Sequence, residues 1–107
     1  MKNSFVLVIV TTSSKSEADN LVQKLLEEKL IACANVLGPV SSHFHWNGKV
    51  ERSKEFLVLM KSRLNLFDTV SEQVKALHSY EIPEILALPI VAGSKAYLEW
   101  LEKSLHP

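Results

Sequence analysis

Apolar residues first cluster without interruption at Phe5-Val6-Leu7-Val8-Ile9-Val10. A β-branched run of this kind is expected for a strand covered on both faces. The period then changes. Ser14 and Glu17 make an S-x-x-E capping box, and behind it Ala18, Leu21, Val22, Leu25 and Leu26 recur at helical spacing, predicting a helix that ends near Lys29. From Ile31 to Trp46 the pattern is extended again, and Asn47-Gly48 follows as a type I′ turn signal, since both residues tolerate positive φ. The chain returns through Val50 and the apolar Phe56-Leu57-Val58-Leu59-Met60, closing a long antiparallel hairpin. Phe67, Val70, Val74 and Leu77 share one face of a second predicted helix, and Ile85 to Val91 reads as a fourth strand. Gly93 and Ser94 open a short last helix with Tyr97, Leu98, Leu101 and Leu105 on a common side.

The order β-α-β-β-α-β with an added C-terminal helix predicts an α+β fold. It is the split βαβ arrangement of a ferredoxin-like sandwich, one antiparallel sheet with helices on one face. No internal repeat, linker or low-complexity segment interrupts it, so residues 1-107 read as one domain. Hairpin arms of about 14 residues at ~3.4 Å rise span roughly 47 Å. A globule of this length, with a radius of gyration near ~13 Å, is only about 34 Å across. The arms must bend or project, and a projecting arm bearing Phe44 and Trp46 exposes strand edges and aromatic surface that a second subunit would cover. An obligate homo-oligomer is expected.

Composition narrows the function. With 12 basic and 12 acidic residues the formal net charge is zero, and no like-charge block is longer than Glu27-Glu28. Nucleic acid is therefore not the expected partner, because phosphate binding needs a concentrated basic face. Cys33 is the only cysteine, which rules out an internal disulfide and the disulfide-stapled secreted class. A chain of this size buries a core without a metal staple, so a bound metal is not needed for folding. No apolar run approaches the ~20 residues of a membrane helix. Met1 and Lys2 before the first apolar run resemble the head of a signal peptide, but no small-residue cleavage pattern follows. A soluble cytoplasmic protein is expected.

The densest candidate chemistry is His78-Ser79-Tyr80-Glu81-Ile82-Pro83-Glu84, a helix-to-strand connection stiffened by its proline. It holds an imidazole, a phenol and two carboxylates, and reads either as a functional loop or as a solvated connection. Glu81 and Glu84 could serve as acid and base with Tyr80 or His78 assisting, yet no phosphate loop, nucleophile elbow or H-E-x-x-H motif supports a reaction. An enzyme is not expected. Cys33, among small and apolar neighbours, reads as a core thiol or as a soft ligand for copper or zinc. His43 and His45 project from one face of the arm, opposite Phe44 and Trp46, and read as an exposed polar face or as a metal chelate. Trp46 and Trp100 read as packing anchors, and His106, beside the C-terminus, receives no role.

The chain resembles the CutA divalent-cation tolerance protein family. The matching features are Ala18, Glu28-Lys29-Leu30-Ile31-Ala32-Cys33-Ala34-Asn35-Val36, Trp46-Asn47-Gly48-Lys49-Val50, Lys61, His78 with Tyr80, Pro83-Glu84, Leu88-Pro89-Ile90, Gly93, and Tyr97-Leu98 with Trp100-Leu101. They run in order along nearly the whole chain. The resemblance implies a ferredoxin-like fold, a tight homotrimer in which the hairpins reach neighbouring subunits, and a part in tolerance of copper and other divalent metal ions. It also implies a likeness to the trimeric PII signalling proteins, and hence the alternative of a signalling or scaffold trimer that binds a small ligand or a protein at inter-subunit clefts. Through the resemblance, Cys33 and His78 are the expected metal ligands. Where some members carry two adjacent histidines, this chain has Leu77 before His78.

Overall fold

Strand β1 (Phe5–Thr12) runs through the interior of a four-stranded sheet whose order is β2-β3-β1-β4. Its neighbours are β3 (Lys49–Arg63) and the short edge strand β4 (Ile85–Pro89), both antiparallel, and β2 (Cys33–Trp46) pairs antiparallel on the far side of β3. Helices α1 (Lys15–Glu27), α2 (Phe67–Leu77) and α3 (Lys95–Ser104) complete the ferredoxin-like βαββαβ chain and its added helix. This computed structural model describes residues 4–107. Met1 and Lys2, weighed above as a signal-peptide head, lie outside the described residues.

Period-two patterning decides what the sheet buries. Val6, Val8 and Val10 of β1 and Val58 and Met60 of β3 point at the helices and are at most 3% exposed. There they meet Ala18, Leu21 and Leu25 of α1 and Val70 and Val74 of α2. The alternate residues take the other face. Leu7 lies between Lys61 and Leu88, Ile9 between Leu59 and Leu86, and Leu57 beside Leu37. The expectation that β1 is covered on both faces is therefore not met within one chain. Leu37, Leu86 and Leu88 remain 45%, 55% and 45% exposed, because α1 and α2 cover only one side.

Helix α1 begins as read, with the Ser14 hydroxyl accepting from the Glu17 N–H at 3.1 Å. It ends two residues earlier than Lys29, at a Schellman motif. Lys29 adopts φ 57°, its N–H donates to the Leu26 carbonyl, and the Leu30 N–H donates to that of Leu25. Leu30 and Leu25, both buried, supply the apolar contact that accompanies such a stop. Strand β4 stops at Pro89 rather than Val91. A proline is tolerated there because the missing N–H lies on a sheet edge.

The hairpin turns at Asn47 and Gly48, both at positive φ as the type I′ signal requires. Near its root the β2–β3 register shifts between Leu37 and Val40. Gly38 sits at that shift, and a Cβ there would come within 2.6 Å of the Phe56 ring. The arm projects: the longest axis is 44 Å against 26 and 22 Å for the others, and Phe44, Trp46 and Val50 are 40%, 50% and 70% exposed. Trp46 and Trp100 are thus not anchored in this chain's own core: they are 50% and 46% exposed, and Trp100 packs on Tyr97, centroids 5.4 Å apart. No helix among the described residues is long and apolar enough to cross a membrane.

Candidate functional site

The 78–84 connection leaves α2 with the His78 N–H still bonded to the Val74 carbonyl, after which the chain turns extended. This swings the imidazole under the end of β1. Nε2 lies 2.7 Å from the Thr11 carbonyl, which only accepts, so Nε2 carries the proton and Nδ1 accepts from the Tyr80 N–H at 3.0 Å. The ring is fully enclosed. Both nitrogens of His78 are committed within its own chain.

Two carboxylates hold the loop in place. Glu17 Oε2 accepts from the Ser79 N–H at 2.7 Å, while Oε1 accepts from the Ser13 N–H and hydroxyl. The capping box is therefore only half realised: Glu17 reaches Ser13 and the loop, not the N–H of Ser14. Burial pushes the Glu17 carboxyl up, but hydrogen bonds from Ser79 and Ser13 outweigh it and hold the group below its ordinary 4.5. A carboxyl with a folded pKa below its unfolded value stabilises the fold above the unfolded pKa, and that contribution is lost as pH falls through the folded one. Urea denaturation is thus expected to show a larger loss of stability between pH 5 and pH 3 for wild type than for Glu17→Gln. Equal losses would contradict this role.

On the other side the Tyr80 hydroxyl donates to Glu55 Oε2 at 2.7 Å. Glu55 is only 6% exposed and stands at the root of the projecting arm, opposite Val40. Burial, followed by the Glu55 hydrogen bond and the charges of Glu55 and Glu17, raises the Tyr80 pKa to about 12. The phenol is protonated throughout the neutral range and latches loop to arm. Tyr80→Phe leaves Glu55 without its donor and is expected to cost about 1–3 kcal/mol in urea denaturation; an unchanged midpoint would exclude the latch. Beside the loop a polar cleft of about 460 Å³ is lined by Ser13, Ser16, Glu17, Asn20, Leu77 and Ser79. Glu81 and Glu84 are exposed and stand outside these hydrogen bonds.

Cys33 belongs to a different cluster. It opens β2 half-buried on the open face of the sheet, not in the core. Its Sγ lies 3.4 Å from the Tyr97 hydroxyl of α3, and on the same face Lys61 Nζ donates to Asn35 Oδ1 at 3.3 Å. The hydrogen bond to Cys33, then burial and the charge of that group, raise the Tyr97 pKa; the Lys61 ammonium opposes the rise. Cys33 is on the rung of Lys61 and Leu7, whereas Thr11, over His78, is on the rung of Leu57 and Leu37. Four rungs and two strand spacings put the two expected ligands on the order of 15 Å apart. One chain does not bring Cys33 and His78 to a common ion. As folded, Cys33 fits a soft metal as a donor and His78 does not.

His43 and His45 do share a face of the arm, but their cross-strand neighbours are Arg52 and Val50. A guanidinium facing the pair disfavours a cation. Among the described residues no group of three His, Cys, Asp or Glu side chains is placed to hold a metal. Sequence reasoning missed Glu17 and Glu55 as site residues. The capping box marked Glu17, but nothing distinguished Glu55 from the solvated charges of the arm.

Residues 6–104 match the family model described as CutA1 divalent ion tolerance protein. A chloroplastic protein CutA 1 from rice is 41% identical over 92% of this chain and 56% of its own length; the chain spans just over half of that relative. The divalent-cation tolerance protein CutA of Archaeoglobus fulgidus is also 41% identical, over 92% of this chain and 96% of its own. The solved structure described as the periplasmic divalent cation tolerance protein CutA from that organism superposes with a TM-score of 0.92 at 39% identity, over 95% of this chain and 99% of the other. A match to the family model over nearly the full chain, joined to this fold, makes the chain a member of the CutA1 divalent ion tolerance protein family.

Proposed function

We propose that this chain acts as a homotrimer in the response to divalent metal ions, binding copper or a similar ion and catalysing no reaction. The uncovered apolar face of the sheet carries this reading. Leu7, Ile9, Leu57, Leu59, Leu86 and Leu88 line it, and an arm with exposed Phe44 and Trp46 projects beyond it. Surfaces of that kind are covered by further protein, and the family resemblance supports three copies.

Cys33 stands at the margin of the same face, so assembly brings groups of a neighbouring chain toward a thiol that one chain leaves half-exposed. A thiolate suits copper, and a reducing cytoplasm, the compartment we assign, keeps it unoxidised. The ion is read as cargo rather than a folding staple, because a chain of this size buries a core without a metal staple. Lys61 on the same rung opposes a second cation, so affinity depends on donors from the neighbouring chain. His78 joins them only where the 78–84 loop opens and frees a ring nitrogen.

A competitive copper titration against a chelator tests this. Cys33→Ser is expected to weaken binding about tenfold or more, in the range typical of altered metal sites. His78→Ala separates the two ligands, since a matching loss there requires the loop to open. Copper affinity unaffected by Cys33→Ser would remove the metal assignment. One observation favours the alternative of a PII-like signalling or scaffold trimer: the Tyr80–Glu55 latch joins the loop to the root of the arm. A ligand at the loop would then be felt where subunits meet. That version fails if the loop lies far from every neighbouring chain in the assembly.

A further inference from the structure

Among the described residues, Lys61 is a cation set into an apolar surface with no carboxylate paired to it. Its rung neighbours on the open face are Leu7 and Cys33, and the adjoining rung presents Ile9, Leu59 and Asn35. The ion pairs among the described residues are Lys15–Asp19 and Arg63–Glu102, and Glu17 is turned toward His78, so none of these carboxylates answers the Lys61 ammonium. Its acceptor is the neutral Asn35 Oδ1, at 3.3 Å.

That arrangement leaves hydrogen-bond donors in excess. With Oδ1 accepting from Lys61, the Asn35 amide has two N–H groups to offer, and the ammonium, which also faces the Tyr97 hydroxyl, keeps at least one N–H beyond those two contacts. The Tyr97 hydroxyl, on a ring that packs against Trp100, lies 3.4 Å from Cys33 Sγ, where either group can donate, so its O–H is open to an anion when the thiol donates instead. In water such a cluster is satisfied by solvent. Beneath a neighbouring copy, as the proposed trimer requires, an unpaired ammonium costs several kcal/mol of lost hydration. The missing component is a compact negative charge with several acceptor oxygens.

We propose that Lys61, Asn35 and Tyr97 form a subsite at the subunit boundary for the oxyanion of a small molecule, a carboxylate or a phosphate. Tyr97 and Trp100, 41% and 46% exposed in the single chain, give it an aromatic wall on the side of α3. This inference rests on the open face being a subunit boundary, and it concerns an anion rather than the metal. The donors are neutral or cationic, which selects charge sign, and the shared chemistry of carboxylate and phosphate is left to the titration to separate.

The test is isothermal titration of the wild-type assembly with malonate and, separately, with inorganic phosphate in low-salt buffer, with light scattering on the same samples. Saturable binding of one of the two is expected, weakened about tenfold or more in Lys61→Met, which keeps its assembled mass. Tyr97→Phe retains the ring stack and gives a second reading if Lys61→Met does not fold. Absence of saturable binding to an assembled wild type, or undiminished affinity in both variants, would overturn the subsite alone. Dissociation of Lys61→Met into single chains would overturn it too, identifying the counter-ion as a carboxylate of a second copy. A wild type that is itself a single chain would overturn the assembly along with the subsite.

Discussion

Leu86→Glu is expected to leave the chain folded while reducing its mass in solution from that of three copies to that of one. Leu86 is 55% exposed and sits on edge strand β4, on the rung of Ile9 and Leu59. In a single chain a glutamate at that position reaches water and disturbs neither the ladder nor the core, which lies on the other face. In the proposed trimer it would be enclosed among leucines, and the rung of its own chain offers it no cation. Burying an unpaired carboxylate costs several kcal/mol, and every 1.4 kcal/mol is about a factor of ten in association. Sedimentation with circular dichroism on the same sample reads both quantities. Retention of the trimer mass at wild-type stability would mean that the open face is not the contact surface.

Arg63→Ala is expected to produce the largest loss of stability outside the core, about 3 kcal/mol, at the low end of the range for removing one partner of a buried ion pair. The guanidinium is 8% exposed and works in three directions. Nε donates to Asn65 Oδ1 at 3.1 Å, one terminal nitrogen to Glu102 of α3, and the other to the carbonyl of His106. The His106 N–H in turn donates to the Lys29 carbonyl at the end of α1. One side chain thus fastens the last helix and the tail to the sheet. Glu102, being 36% exposed, recovers some hydration when the arginine is lost, which places the estimate low. Arg63→Lys is not expected to rescue, because a single ammonium does not reproduce the planar fork. Hydrogen exchange should accelerate first in α3 and the tail, and a loss spread evenly over the sheet would contradict this attribution.

The parts of this molecule legible in its sequence are those governed by local chemistry. The stripe from Ala18 to Leu26, the Asn47-Gly48 turn and the Ser94 cap each act through neighbours in the chain, and each stands where its spacing puts it. Helix α1 stops early because Leu30 is drawn back onto Leu25, a contact that periodicity alone does not report. His106, given no role beside the C-terminus, is held by the distant Arg63. The site was less legible for the same reason. Its loop was marked by His78 and Tyr80, but Thr11, Glu17 and Glu55, the partners of His78, Ser79 and Tyr80, are 25 to 67 residues away along the chain. Cys33 was legible as a residue among small neighbours, and only the sheet register shows that it faces away from the core and away from His78.

Native mass spectrometry of the wild-type protein, with and without one equivalent of copper per chain, reads assembly and copper retention in one spectrum. A species of three chains that retains copper is expected, and a Cys33→Ser trimer that does not. A single-chain species, or a trimer whose copper content is the same in wild type and Cys33→Ser, would contradict it.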